Sequence, residues 1–364
     1  MDTQLLRTPC YDWHVAHGGR MVDFAGWAMP VQYASVTDEH HAVRRAAGVF
    51  DIAHMGRLRF AGTDAGRVLD RLVTANLADM QPGQVRYALV TNERGGILDD
   101  VLVYRFDDSW LLVVNASNRL KILSWIEERS GGFDFQLTDD TFSQFMLAVQ
   151  GPRALEIVNP LVKNDVAEIN YYWAVRDNVM GVDGLVSRTG YTGEDGFEVI
   201  LPAEHGPRLW EAVIERGRAH GLVPCGLGSR DTLRLEAAMP LYGHELSEDL
   251  DPFTAGLAFA VKLDKGDFIG RDALVALKAR ADRPQRVGLE LAGRRIAREG
   301  SAVYAGERAV GRVTSGTFSP TFEKPLAMAY VARESAAPGT PLDVDIRGRR
   351  ERAAVVKLPF YRRG

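Results

Sequence analysis

Asp99 and Asp100 stand side by side inside an otherwise apolar run, Ile97 to Tyr104. Successive side chains of a strand face opposite ways, so one of the two is expected on a buried face. A buried carboxylate needs a partner, and one fixed near a reacting nitrogen stabilises positive charge or carries a proton. The second chemical stretch is Ser187-Arg188-Thr189-Gly190-Tyr191-Thr192-Gly193-Glu194-Asp195-Gly196-Phe197-Glu198. Its glycines permit positive φ and a close approach to the backbone, and Tyr191 offers a flat apolar face with a hydroxyl tip. Glu198 opens an alternating run with Val199, Ile200 and Leu201. A carboxylate there accepts hydrogen bonds from the amino and ring N–H groups of a heterocycle. The same residues also read as a Gly-turn hairpin with solvated acids.

Further candidates collect at element boundaries. Met55, in His54-Met55-Gly56, either pads an aromatic ligand with its thioether or simply packs. Asn115 ends the run Leu111 to Val114 and carries both donors and acceptors. Gly226-Leu227-Gly228-Ser229 precedes a helix from Arg230 to Met239, with Ser229 expected as N-cap and free N–H groups suited to an anionic ligand group. Arg230 in a first turn opposes the helix dipole, which fits either a bound carboxylate or a salt bridge to Asp231 or Glu236. Tyr171-Tyr172-Trp173 lines a pocket or packs a core, and Tyr171 is carried as a pocket candidate. His14 and His17 lie one helical turn apart but lack a carboxylate or thiol at ligand spacing, which favours ordinary histidines over a metal site.

The elements that must position these groups follow from periodicity and turn chemistry. A helix is expected with Thr37 as N-cap, and another after Thr63 with Ala65, Val68, Leu69 and Leu72 on one face. Tyr87 to Val90 and Ile97 to Tyr104 form a hairpin across Asn92-Glu93-Arg94-Gly95-Gly96. Asn118 is expected to cap a helix that buries Ile122 and Ile126, and Pro207 to His220 forms another that stops at Gly221. Beyond Arg283-Pro284 the short apolar runs 287–291, 303–304, 310–314, 326–331 and 342–346 predict a separate small β-barrel. The cluster Arg347-Gly348-Arg349-Arg350-Glu351-Arg352 reads as a solvated hairpin tip.

Composition narrows the class. At 364 residues, 46% hydrophobic and 25% charged, the chain exceeds one core and reads as globular and soluble. A net charge of -4 leaves no global basic field for nucleic acid, so an anion site must be local. Cys10 and Cys225 form neither a disulfide framework nor a zinc cluster, and a reducing compartment fits. With no signal-length or bilayer-length apolar run, the expected location is the cytoplasm.

Seven motifs in order resemble the glycine cleavage system T-protein family of aminomethyltransferases. They are Asp23-Phe24-Ala25-Gly26-Trp27, His54-Met55-Gly56, Gly95 to Asp100, Val113-Val114-Asn115-Ala116, Arg188 to Gly196, Gly226 to Asp231, and Pro359-Phe360-Tyr361-Arg362. The resemblance implies an α+β fold of three domains, a cloverleaf around a central folate cavity. Its parts are 1–52 with 137–245, 53–136 carrying the catalytic acid, a connecting segment 246–284, and the C-terminal β-barrel 285–364. It further implies Asp100 as catalytic carboxylate, Met55, Tyr87, Asn115, Tyr191 and Glu198 around the pterin, and Arg230 and Arg362 toward the glutamate tail. The implied reaction moves the methylene of an aminomethyl group, carried on the lipoyl arm of an H-protein, to tetrahydrofolate and releases ammonia without a metal. Partners are thus the lipoylated H-protein and folate, with no nucleic acid or membrane, and the protein is expected to be a monomer.

The sequence departs from the family pattern in three places. Ser229 replaces alanine, Ala238 replaces glycine, and Leu358 intervenes before the final Pro-Phe-Tyr-Arg. Two other readings share the implied fold. A non-catalytic folate protein of iron–sulfur assembly would carry a cysteine where Lys265-Gly266-Asp267-Phe268 has Asp267, and the folate part of a demethylating flavin oxidase would need a flavin partner.

Overall fold

The β-rich runs assemble into three main sheets, described for residues 4–364 from a computed structural model. The first sheet has six strands in the order Ala174–Val179, Val182–Ser187, Gly196–Pro202, Gln144–Gln150, Ala47–Asp51, Leu222–Pro224. All its pairs are antiparallel except the last. Alternation decides its two faces: Phe197, Val199 and Leu201 join Phe145, Leu147 and Val149 in one core beneath Leu209, Trp210 and Val213 of the helix Gly206–Gly217. Glu198 therefore belongs to the opposite face.

The second sheet orders Val85–Thr91, Ile97–Arg105, Ser109–Val114, Gly56–Ala61 and Gln136–Asp139. Its registers pair Leu102 with Val113 and Gly56 with Val114. Continued by one step or two, these bring Met55 and Asn115, each just past the end of its strand, level with Asp100. The third sheet is a closed six-stranded barrel formed by Gln285–Leu291, Lys324–Val331, Arg308–Ser319, Ala302–Ala305, Pro341–Ile346 and Arg349–Val356, with a core of its own. The expected five apolar runs all lie on its strands. The sixth strand begins inside the charged cluster, whose Arg347 and Gly348 form the turn at φ 56° and 76°.

By compactness the chain divides into two units. The first holds the part up to Leu72, Asn76–Ala88 and Asp100–Arg230, and the second holds Val73–Ala75, Leu89–Asp99 and Asp231–Gly364. No helix among the described residues is long and apolar enough to cross a membrane.

Several helix starts differ from expectation. The helix placed at Thr37 runs Val36–Arg45 and is capped by Ser35, whose extended backbone lets its Oγ accept from Asp38 N at 3.1 Å. Asn118 gives no side-chain cap, because a 3-10 turn over Ala116–Asn118 leads into Arg119–Arg129. The helix expected from Arg230 begins at Leu227, so Ser229 lies within it and Arg230 is its fourth residue. Ala238 adopts φ 55°, the left-handed conformation that explains a family preference for glycine there.

Candidate active site

Asp100 is half-buried, at the end of the second sheet where the register brings Asn115 opposite. Asn115 Nδ2 donates to Asp100 Oδ1 at 2.8 Å and to its backbone oxygen at 3.1 Å, and the Tyr87 hydroxyl donates to Oδ2 at 3.1 Å. Burial pushes the Asp100 carboxyl up to about 6, against the pull of these two donors. A carboxylate so held is ionised at neutral pH and still basic enough to take a proton. Asp99, one residue back, is fully buried and belongs to the second unit.

The glycine-rich loop is held by charge, from its own Arg188 and from Arg44 of the helix Val36–Arg45. Arg44 donates to Thr192 O at 2.7 Å and Glu194 Oε1 at 3.0 Å, and Arg188 grips Asp195 through Nε at 3.0 Å and Nη2 at 2.5 Å. Two of its three acids are thereby consumed. Glu198, 6% exposed, has no ion pair among the described residues and accepts instead from Thr189 Oγ1 at 2.5 Å. Burial raises its pKa, opposed by Thr189 and the charge of Arg230. Gly190 leaves room for the protein rather than for a ligand, since a Cβ there would lie 2.0 Å from Gln150 Oε1.

Arg230 is half-buried with its guanidinium 4.8 Å from the Tyr191 ring centre, a cation–π arrangement. Asp231 pairs instead with Arg234 at 2.7 Å, and the Glu236 carboxylate accepts from the hydroxyls of Ser319 and Thr321. The helix start before it does not await an external anion: the buried Glu39 carboxylate accepts from Gly226 N at 2.8 Å, Ser229 Oγ at 3.0 Å and Tyr33 N at 2.6 Å. An internal carboxylate has taken the place expected for a ligand.

The structure thus gathers Asp100, Tyr87, Asn115, Glu198, Tyr191 and Arg230 within the first unit, linked by the contacts above and by mutual electrostatic influence. Met55 is half-buried in the turn beside Asn115, and its carbonyl accepts from Arg57 Nη1 at 2.6 Å. Tyr171 is 51% exposed, whereas its neighbour Tyr172 feels the charges of Glu198 and Asp100. Tyr172 takes φ 63°, pinned where its N–H donates to Arg188 O and its carbonyl accepts from Val85 N. Arg362 is exposed and belongs to the second unit, where the preceding Tyr361 N–H donates to Glu236 O.

Sequence reasoning carried Tyr171 rather than Tyr172 from its aromatic triplet, and gave Thr189 and His54 no role in the site. Thr189 had a signal, its spacing of two from Ser187, the register partner of Glu198. His54 is buried against Phe24, and burial with Arg230 and Arg57 nearby holds it neutral, its pKa down at about 3. His14 bonds Asp51 Oδ2 at 2.9 Å and the Tyr33 hydroxyl at 2.8 Å, while His17 stacks on Trp13 at 3.9 Å, so the pair is structural. Among the described residues no group of three or more His, Cys, Asp or Glu is placed to hold a metal ion.

Comparison with known proteins bears on the whole chain. Residues 10–265 match the GCVT N-terminal domain family and residues 285–362 the glycine cleavage T-protein C-terminal barrel domain. The chain is 46% identical to an aminomethyltransferase of Desulfitobacterium hafniense and 49% identical to one of Streptomyces coelicolor, each covering 99% of both proteins. The crystal structure of the glycine cleavage system aminomethyltransferase T from Bartonella henselae superimposes with a TM-score of 0.92 at 34% identity, covering 98% of each chain.

Proposed function

This chain belongs to the glycine cleavage T-protein family of aminomethyltransferases, and from that premise we propose that it transfers the methylene of an aminomethyl group to tetrahydrofolate with release of ammonia. The donor in this reading is the lipoyl arm of an H-protein, and the bacterial relatives support a cytoplasmic setting. The observation that carries it is Asp100, held by Tyr87 and Asn115 with its pKa raised to about 6.

The residues of the first unit fit a reduced folate. Glu198, a buried carboxylate with no ion pair among the described residues, suits the amino and ring N–H donors of a pterin. Tyr191 and Tyr172 supply aromatic surface, Met55 sits beside Asn115, and Arg230 supplies positive charge. Arg362 is kept for the glutamate tail by its motif alone.

Tetrahydrofolate supplies the nitrogen that accepts the one-carbon unit. As positive charge develops there, the Asp100 carboxylate stabilises it and takes up the proton, while Tyr87 and Asn115 keep both carboxylate oxygens oriented. Because the donors are fixed before reaction, no solvent must reorganise.

The test is single-turnover transfer from an aminomethyl-loaded lipoyl carrier to tetrahydrofolate. Asp100→Asn is expected to lower the rate on the order of 10²–10⁴-fold with a smaller change in folate affinity. Asp99→Asn should stay within about tenfold. A larger loss from Asp99→Asn would move the catalytic assignment, and full activity in both would remove the transferase reading of this site.

A further inference from the structure

The face of the first sheet that carries Glu198 also carries two buried hydroxyls. Ser187 and Glu198 are register partners, and Thr189 lies two residues past Ser187, just beyond the end of that strand. Thr189 Oγ1 donates to Glu198 Oε2 at 2.5 Å, and Ser187 Oγ lies 2.9 Å from Thr189 Oγ1. A hydroxyl has one proton. Since that of Thr189 goes to the carboxylate, the proton between the two hydroxyls must come from Ser187. The alternative acceptor for Ser187, Glu198 O, is 3.5 Å away.

Thr189 itself is fixed from behind. Its carbonyl accepts from Gln150 Nε2 at 3.0 Å, and it is 1% exposed. The Tyr104 hydroxyl is buried beside Ser187 and Thr189 without a hydrogen bond of ordinary geometry. The hydroxyl chain therefore runs from Ser187 through Thr189 to Glu198.

We infer that Thr189 is the positioning residue of the ligand-reading carboxylate: it commits Glu198 Oε2 to a hydroxyl chain running back to Ser187 and leaves Oε1 to accept from the ligand. The inference rests on the assignment of Glu198 to the folate. Its consequence is a control of charge state, because an ionised carboxylate leaves Oε1 as an acceptor for ligand N–H, while a protonated one can turn a donor on it. Thr189 is bonded to Glu198, and the charged and phenolic groups that act on it are Arg230, Tyr104 and Tyr172, the last of which also feels Asp100. Thr189 and the charge of Arg230 favour its ionised form, in opposition to burial, and burial keeps Tyr104 and Tyr172 as neutral phenols.

The experiment is calorimetric binding of 5-formyltetrahydrofolate to the full chain between pH 6 and 8.5. Thr189→Val should weaken binding by about tenfold at pH 6 and by less at pH 8.5, because Glu198 then loses its charge at higher pH. Thr189→Ser should restore affinity and profile. A loss that is the same at every pH and is not restored by serine would make Thr189 merely structural and overturn the inference. Should Glu198→Gln bind as the parent does, the assignment of Glu198 fails and the inference with it. A loss in Glu198→Gln without a pH-dependent loss in Thr189→Val would sink the inference alone. If Thr189→Val does not fold, Ser187→Ala, which removes the donor behind Thr189, should show the same pH-dependent weakening to a smaller extent, and its absence would count against the chain.

Discussion

A carboxylate partly withdrawn from water, as Asp100 is, is a burden on the fold that holds it. Burial raises the Asp100 pKa to about 6, above its ordinary value of 3.8. At pH 7.5 Asp100 is charged in both folded and unfolded chains, but the folded site disfavours that charge. As pH falls through 6 the folded chain takes up a proton before the unfolded one does, so the native protein gains relative stability between pH 6 and 4. Asp100→Asn should therefore raise stability at pH 7.5 by on the order of 1–3 kcal/mol while lowering turnover. At pH 5 the advantage should shrink. Urea denaturation at the two pH values checks this, and a variant less stable than the parent at pH 7.5 would show that the hydrogen bonds from Tyr87 and Asn115 outweigh the desolvation of the charge.

At the scale of elements, the helix Leu227–Glu236 shows how an internal carboxylate organises a junction. Glu39, on the helix Val36–Arg45, receives Tyr33 N, Gly226 N and Ser229 Oγ, all within 3.0 Å. Glu39→Ala would leave the N–H groups of Tyr33 and Gly226 without this acceptor, while Ser229 Oγ still has Gly226 O at 3.0 Å, and should cost about 2–5 kcal/mol, with Glu39→Gln intermediate because one acceptor oxygen remains. A cost below about 1 kcal/mol would mean that water or a shifted backbone replaces the carboxylate. The same junction marks where sequence reasoning stops. Ser229 looked like an N-cap because its type and place before Arg230 are right, but the partner that moved the helix start lies 190 residues earlier. Local rules sufficed for the hairpin that carries Asp100, for the barrel strands and for the acid at Glu198, since period-two alternation and Gly turns decide those. They did not suffice for the aromatic triplet. Tyr171 and Tyr172 differ in direction through a left-handed φ at Tyr172, and nothing in the composition of three aromatics announces which one turns inward.

The whole molecule keeps its two thiols inside the unit that carries the site. Cys10, 1% exposed, joins the core beneath the first sheet, and Cys225, 2% exposed, donates its N–H to Val49 O at 2.9 Å while its Sγ would meet a Cβ on Gly48 at 2.6 Å. Burial pushes both thiols well above the usual range, so neither presents a thiolate to a reagent while the unit is closed. Alkylation must then wait for an opening of the first unit, and when closing is fast its rate follows the open population. Asp100, Asn115, Tyr191, Glu198 and Arg230 all belong to that unit. A folate that binds them binds the closed form, and at a free concentration of about 100 Kd it should add about 2.7 kcal/mol and slow alkylation of both cysteines about a hundredfold. Iodoacetamide labelling followed by mass spectrometry, with 5-formyltetrahydrofolate titrated to a calorimetrically measured Kd, makes the comparison. Equal slowing at Cys10 and Cys225 would report one cooperative opening that the ligand suppresses. Slowing at one alone would mean that the unit opens in parts, and no slowing at saturating ligand would mean that the folate is not held by this unit in its closed state.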